Sequence, residues 1–187
     1  MIGPAAPTEP ELHGLLVSPD FTEALFEAAH HTLNTGSEAG LAVYRAASGL
    51  LVSQVIHAED HTPEGRKPSD SIDLRSITHE SEDTVRPDLA VHLHTHPDGH
   101  WNNQLLSAAD MQLHAIEDRQ VPGLIGMMAM PRAGASVVQL TLLRARPGKE
   151  GMLRCQHINR LGNDASYRDI QEAMEHAGMS GSHTSYD

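Results

Sequence analysis

Two histidines and an aspartate are spaced so that they can bind one metal ion. His94 and His96 are two residues apart in the stretch Val-His-Leu-His-Thr-His-Pro at 91–97, and side chains two apart on a β-strand project from the same face. Asp110 stands at the start of a predicted helix and can offer a carboxylate to the same point. Two imidazoles, one carboxylate and a fourth position left open are typical of catalytic zinc. The pattern therefore predicts a zinc site of the catalytic rather than the structural kind.

Each of these residues also has an interpretation without a metal. Ser107 and Asp110 form the S-x-x-D pattern of a helix N-terminus. The chain has 14 histidines, so a single histidine is better explained as an ordinary core or surface residue. His114, one helical turn after Asp110, is predicted to be exposed, the alternative being a hydrogen bond that supports a metal ligand. The metal site is favoured because the strand-end pattern and the helix-start pattern occur together.

The longer pattern resembles a known motif. The stretch His-Thr-His-Pro at 94–97, followed by Ser107 and Asp110, resembles the JAMM motif of the MPN+ metalloprotease family, which includes deubiquitinases and their prokaryotic relatives. That family also has a glutamate at the start of a strand that follows the first long helix, and Glu38 matches it. The resemblance covers the order of elements from about residue 13 to residue 144.

The resemblance implies a role for each matching residue. His94, His96 and Asp110 would ligate Zn²⁺, with water as the fourth ligand. Glu38 would accept a proton from that water and pass it to the leaving amine, and the Ser107 hydroxyl would stabilise the oxyanion. The ten residues between His96 and Ser107 are a departure, because this segment is shorter in most of the family.

The resemblance also implies a substrate class. The first interpretation is a zinc isopeptidase with a single MPN-like domain, which hydrolyses (iso)peptide bonds at the C-terminus of ubiquitin-like or small sulfur-carrier proteins and takes their conjugates as partners. The second is a JAMM-type hydrolase of another amide or peptide. The third is a non-catalytic MPN scaffold, which is disfavoured because such scaffolds typically lack the metal ligands.

The hydrophobic pattern around these residues predicts a single α/β domain of the α+β type, with a mixed, mostly antiparallel sheet flanked by helices. The predicted helices are 21–33, 107–119 and 166–176, and the predicted strands are 13–17, 40–45, 50–57, 89–93, 124–130 and 137–144. Residues 58–87 are polar and are predicted to form a long surface loop. The domain is expected to span 12–178, between a flexible lead-in at 1–11 and a flexible tail at 179–187.

Composition limits the partners. The 187 residues carry a formal net charge of −12, which argues against nucleic acid because phosphate binding needs clustered Lys and Arg. Cys155 is the single cysteine, so no disulfide forms within the chain and a small buried hydrophobe is expected there. The sequence contains neither a run of about 18 apolar residues nor the pattern of a signal peptide. A soluble, cytoplasmic protein without a membrane partner is therefore expected.

Overall fold

The computed structural model describes residues 6–58, 72–97, 108–131, 137–145, 153–162 and 185–186. Its helices are α1 (Glu9–Leu16), α2 (Pro19–Thr35), α3 (Arg75–Thr78) and α4 (Ala108–Gln120). Its strands are β1 (Ala39–Ala46), β2 (Gly49–Val52), β3 (Ile56–His57), β4 (His79–Ser81), β5 (Thr84–Val85), β6 (Leu89–Thr95), β7 (Ile125–Pro131), β8 (Val137–Ala145), β9 (Leu153–Gly162) and β10 (Ser185–Tyr186).

One eight-stranded sheet organises the described part of the chain. Its strand order is β10-β9-β8-β7-β6-β1-β2, with β3 also paired to β1, and β4 and β5 form a separate two-stranded sheet. In the large sheet β6 and β7 are parallel, with α4 between them in the chain. Its other described pairings are antiparallel. The predicted α/β class with a mostly antiparallel sheet is therefore confirmed, and the MPN-like arrangement stays a prediction.

The central strand β6 is buried along its whole length because both faces of the sheet are covered. One face packs against α1 and α2 in an apolar core that includes Phe21 and Leu93. The opposite face packs against α4, where Met111 packs against a cluster formed by Met128, Met130 and Leu143. Successive side chains of β6 therefore enter two different environments.

Local signals at both ends define α2. Ser18 is the N-cap, and its hydroxyl accepts the Phe21 N–H at 3.3 Å. Pro19 stands in the first turn of the helix. Backbone N–H groups there have no partner within the helix, so the N–H that proline lacks costs no hydrogen bond. Gly36 ends the helix with a φ of +77°, in the left-handed region that favours glycine. The predicted helix over 21–33 is confirmed.

The predicted strand over 13–17 is wrong, because this segment belongs to α1 except for its last residue. A capping box begins that helix: the Thr8 N–H donates to Glu11 Oε2 at 2.8 Å, and the Glu11 N–H donates to Thr8 Oγ1 at 3.4 Å. Buried leucines one turn apart then continue it. The helix starts at Glu9, so residues 9–11 of the expected flexible lead-in belong to α1.

Most other predicted elements correspond to observed ones. The helix at 107–119 and the strands at 40–45, 89–93, 124–130 and 137–144 correspond to α4, β1, β6, β7 and β8. The predicted strand at 50–57 is divided into β2 and β3, which both pair with β1. The predicted surface loop at 58–87 is wrong in part, because its described residues include α3, β4 and β5.

Two strands of the large sheet have no counterpart in the sequence prediction. β9 pairs with β8 along most of its length, and β10 pairs with β9 inside the predicted flexible tail at 179–187. The predicted helix at 166–176 lies outside the described residues. Among the helices that the structure describes, none is long and apolar enough to cross a membrane.

Candidate metal centre

The pleat of β6 separates the candidate ligands from the apolar core. Thr95 faces α2, where its hydroxyl is hydrogen-bonded to the Thr32 hydroxyl. His92, His94 and His96 point the other way, towards side chains of α4. The two-residue periodicity of a strand thus places all three imidazoles on the α4 side of the sheet.

His94, His96 and Asp110 lie together at the end of β6 and the start of α4. The Nε2 atoms of the two histidines are 3.1 Å apart. Asp110 Oδ1 is 3.5 Å from His94 Nε2, and Asp110 Oδ2 is 3.5 Å from His96 Nε2. Both histidines are buried, whereas the Asp110 side chain is 23% exposed. The group is therefore enclosed by protein on the histidine side and accessible to solvent beside the aspartate.

These separations fit a tetrahedral metal ion. Zinc lies about 2.0–2.2 Å from nitrogen and oxygen ligands, so two ligand atoms at the tetrahedral angle are roughly 3.3–3.6 Å apart. The 3.1 Å between the two histidine nitrogens and the 3.5 Å from His94 Nε2 to Asp110 Oδ1 are close to that spacing, and the other carboxylate oxygen, Oδ2, lies 3.5 Å from His96 Nε2. Two imidazoles and one carboxylate are also a donor set that zinc accepts in catalytic sites. Among the described residues, these three therefore form a group whose donor types and spacing could bind a metal ion such as Zn²⁺.

Glu38 lies beside the three donors, although it is far from them in the sequence. Its Oε1 is 3.7 Å from His96 Nε2, and its side chain is 17% exposed. Burial raises the pKa of Glu38 above the ordinary value, while the neighbouring His94 and the Ile72 N–H favour its charged form. Glu38 is therefore a largely buried carboxylate next to the three donors, and its role as general base stays a prediction.

Contacts with the backbone hold Glu38 at this place. The Ala39 N–H donates to Thr95 Oγ1 at 2.8 Å, which ties the start of β1 to the end of β6. The Glu38 carbonyl accepts the Ala58 N–H at 3.1 Å. Glu38 Oε2 accepts the Ile72 N–H at 3.0 Å. One carboxylate oxygen is thus bound to the backbone, and the other faces the histidines.

Four of the five predicted site residues are described by the structure, and they lie together: His94, His96, Asp110 and Glu38. Ser107 lies outside the described residues, since the description of α4 begins at Ala108. Its proposed roles as helix cap and as oxyanion donor both stay predictions.

A second polar layer, formed by His92, His114 and Glu117, lies next to the metal donors. His114 is 0% exposed, so the prediction of an exposed residue is wrong. Its Nδ1 is 3.0 Å from His92 Nε2. Glu117 is also 0% exposed, and its Oε2 is 3.6 Å from His92 Nδ1. Asp110, His114 and Glu117 recur at helical spacing, so the sequence shows that they share one face of α4, but polar residues at this spacing do not indicate that the face is buried.

Burial determines the protonation of this layer. It raises the pKa of Glu117 to about 7, an effect that the Thr78 hydroxyl reduces by donating to Glu117 Oε1 at 2.8 Å. Burial also lowers the pKa of His114 to about 4 and that of His92 well below its ordinary value. Near neutral pH the two histidines are therefore uncharged, while Glu117 is divided between its two forms.

Glu117→Gln should change how stability depends on pH. The pKa of Glu117 rises from 4.5 to about 7 in the fold, so between these values the folded protein keeps a proton that the unfolded chain has released. Glu117 therefore contributes a loss of stability on the order of 3 kcal/mol as pH rises through this range. The variant is neutral throughout and lacks this loss. Its free energy of unfolding, measured relative to wild type by denaturant titration, should increase from about pH 5 to about pH 8.

The exposed Glu27 provides the control for this experiment. Glu27→Gln makes the same chemical change on the protein surface, so its difference from wild type is the reference. A difference for Glu117→Gln that does not rise relative to this reference between about pH 5 and about pH 8 would contradict the raised pKa of Glu117.

Comparisons with known proteins do not assign this site. No family model matches the chain, and searches of curated proteins and of solved structures found no significant match. The function is therefore inferred from the chain's own residues.

Proposed function

We propose that this protein is a zinc-dependent isopeptidase that hydrolyses the bond at the C-terminus of ubiquitin-like or small sulfur-carrier proteins. The observation that carries the proposal is the convergence of His94, His96 and Asp110, with Glu38 3.7 Å from His96. A structural zinc site is normally closed by four protein ligands. Three donors with a carboxylate beside them favour hydrolysis instead. The substrate class follows from the resemblance of the motif to the JAMM family.

Each of these residues has a task in hydrolysis. When bound, zinc supplies a Lewis acid that lowers the pKa of water towards neutrality and polarises a carbonyl group. His94, His96 and Asp110 would hold the ion. Glu38 accepts a proton from the attacking water at Oε1, since Oε2 is bound to the Ile72 N–H, and then gives it to the leaving amine. The burial that raises the pKa of Glu38 assists its role as proton carrier.

A cleavage assay tests the proposal. The purified protein is offered isopeptide-linked conjugates of ubiquitin-like proteins and, in parallel, ordinary peptides, each with and without a chelator. We expect release of the intact modifier, inhibition by the chelator and recovery on addition of Zn²⁺. Cleavage of peptides without cleavage of any conjugate would indicate a hydrolase of another amide. If zinc-loaded protein cleaves neither conjugates nor peptides, the proposed enzymatic activity is contradicted and a non-catalytic scaffold is favoured.

Ser107→Ala should separate two roles of that hydroxyl. As a helix cap, Ser107 would contribute about 1 kcal/mol of stability. As a hydrogen-bond donor to the oxyanion, it would raise kcat on the order of a hundredfold, and the alanine variant would lose this factor. We expect both effects, with the kinetic effect larger, and the measurements are kcat on a cleaved conjugate and the free energy of unfolding. Unchanged kcat in a destabilised variant would leave the cap as its only role.

A further inference from the structure

The polar layer of His92, His114 and Glu117 is built on the same two elements as the metal donors. β6 carries His92 two residues before His94, and α4 carries His114 one turn after Asp110. Two polar groups therefore lie side by side between β6 and α4. One contains the metal donors, and the other, formed by His92, His114 and Glu117, is buried.

The contact between His92 and His114 is a directional hydrogen bond. The two nitrogens are 3.0 Å apart, the ring planes differ by only 9°, and the ring centroids are 5.2 Å apart. Because the centroids are much further apart than the nitrogens, the rings meet edge to edge through these nitrogens and not face to face. Such a bond fixes both the distance and the relative orientation of the two rings. Its loss is costly because the buried ring nitrogens would then have neither a protein partner nor water.

β7 leaves space for this histidine pair. Gly126 is the partner of His92 in the parallel register of β6 and β7. A Cβ at position 126 would lie 2.9 Å from both His114 Nδ1 and His92 Nε2, which is closer than van der Waals contact allows. Any other residue at position 126 would therefore displace the pair.

Glu117 connects the same face of α4 to a third element. Its Oε1 accepts the Thr78 hydroxyl of α3 at 2.8 Å, and its Oε2 faces His92 Nδ1 at 3.6 Å. Together with the His92–His114 bond, this holds α4 at two points on the face that carries Asp110. Apolar packing is non-directional, whereas buried polar contacts can specify one register.

We propose that His114 and Glu117 are positioning residues, which fix the register of α4 on β6 and so place Asp110 beside the ion that His94 and His96 bind. This inference rests on the proposed function, since it requires the site to bind zinc. Asp110 is the donor that depends on the register, because the two histidines belong to β6 and its continuation whereas Asp110 belongs to α4.

The affinity of the full chain for Zn²⁺ tests the inference, measured by competition with a chromophoric chelator. His114→Leu removes the hydrogen bond to His92 and should weaken zinc binding, by no more than the roughly 10- to 100-fold that loss of a partner bonded directly to a ligand costs. His114→Asn keeps a polar atom near the place of Nδ1 and should recover most of the affinity. Gly126→Ala removes no polar group but displaces the pair, so it should weaken binding in the same direction.

Leu12→Ala is the matched control, because Leu12 is fully buried in the core on the opposite face of the sheet. It should lower thermal stability and leave zinc affinity unchanged. Co²⁺ in place of Zn²⁺ gives a second measurement: its visible absorption should change in His114→Leu, where Asp110 is misplaced, and not in Leu12→Ala.

The outcomes separate this inference from the proposed function. Wild-type zinc affinity in His114→Leu and Gly126→Ala would overturn the inference and leave the proposed function intact. An equal loss of affinity in Leu12→Ala would also overturn it, because the effect would then be one of stability. If His114→Leu does not fold, Gly126→Ala decides by the same criterion. A wild-type protein that binds no zinc would refute both.

Discussion

Replacement of His94 or His96 by alanine should abolish tight zinc binding. Each imidazole is one of three donors in the group, so the loss of affinity should exceed the roughly 10- to 100-fold that removal of a partner outside the ligands costs. Turnover should be lost with the metal, because the Lewis acid is lost. Metal analysis after dialysis and the dissociation constant for Zn²⁺ measure the effect.

His30→Ala is the control for the loss of a histidine, because His30 is exposed on α2. The His30→Ala variant should still bind one zinc ion per chain. A double variant of His94 and His96 that retains as much zinc as the wild type would show that the metal site is misassigned.

Glu38→Gln should keep the zinc and the fold and lose nearly all turnover. The glutamine carbonyl can still accept the Ile72 N–H that Glu38 accepts at 3.0 Å, so the local structure should persist. The amide cannot take up a proton, and general acid–base catalysis contributes about 10²- to 10⁴-fold. The measurement is kcat on a cleaved conjugate, together with the zinc content of the same preparation.

Glu27→Gln provides the comparison, since it makes the same chemical change at an exposed position. It should have the kcat of the wild type. If Glu38→Gln were as active as Glu27→Gln, Glu38 would not be the general base.

The elements that could be predicted from the sequence are those with local signals. For α2, Ser18 and Gly36 define the two ends within the helix's own sequence. The wrong strand at 13–17 arises because a short apolar run fits either a strand or a helix. The capping box at Thr8 and Glu11 decides between them. β9 has no comparable signal, because its strand state depends on pairing with β8, the strand before it in the chain.

The candidate site shows the same division between local and distant information. His94 and His96 could be recognised from their spacing on one strand. Glu38 could be assigned only through the resemblance to a family motif, because the fold alone brings it to within 3.7 Å of His96. The prediction that His114 is exposed was wrong. Its spacing on α4 is visible in the sequence, but its hydrogen-bond partner His92 belongs to another element. Exposure depends on such distant contacts, which no local pattern contains.

The most direct test of the metal centre is a crystal structure of the zinc-loaded protein, with anomalous diffraction recorded on both sides of the zinc absorption edge. We predict one strong anomalous peak per chain, about 2.0–2.2 Å from His94 Nε2, His96 Nε2 and a carboxylate oxygen of Asp110, with a fourth, non-protein ligand. A peak at other residues, or zinc-loaded crystals without a peak between these three side chains, would contradict the account.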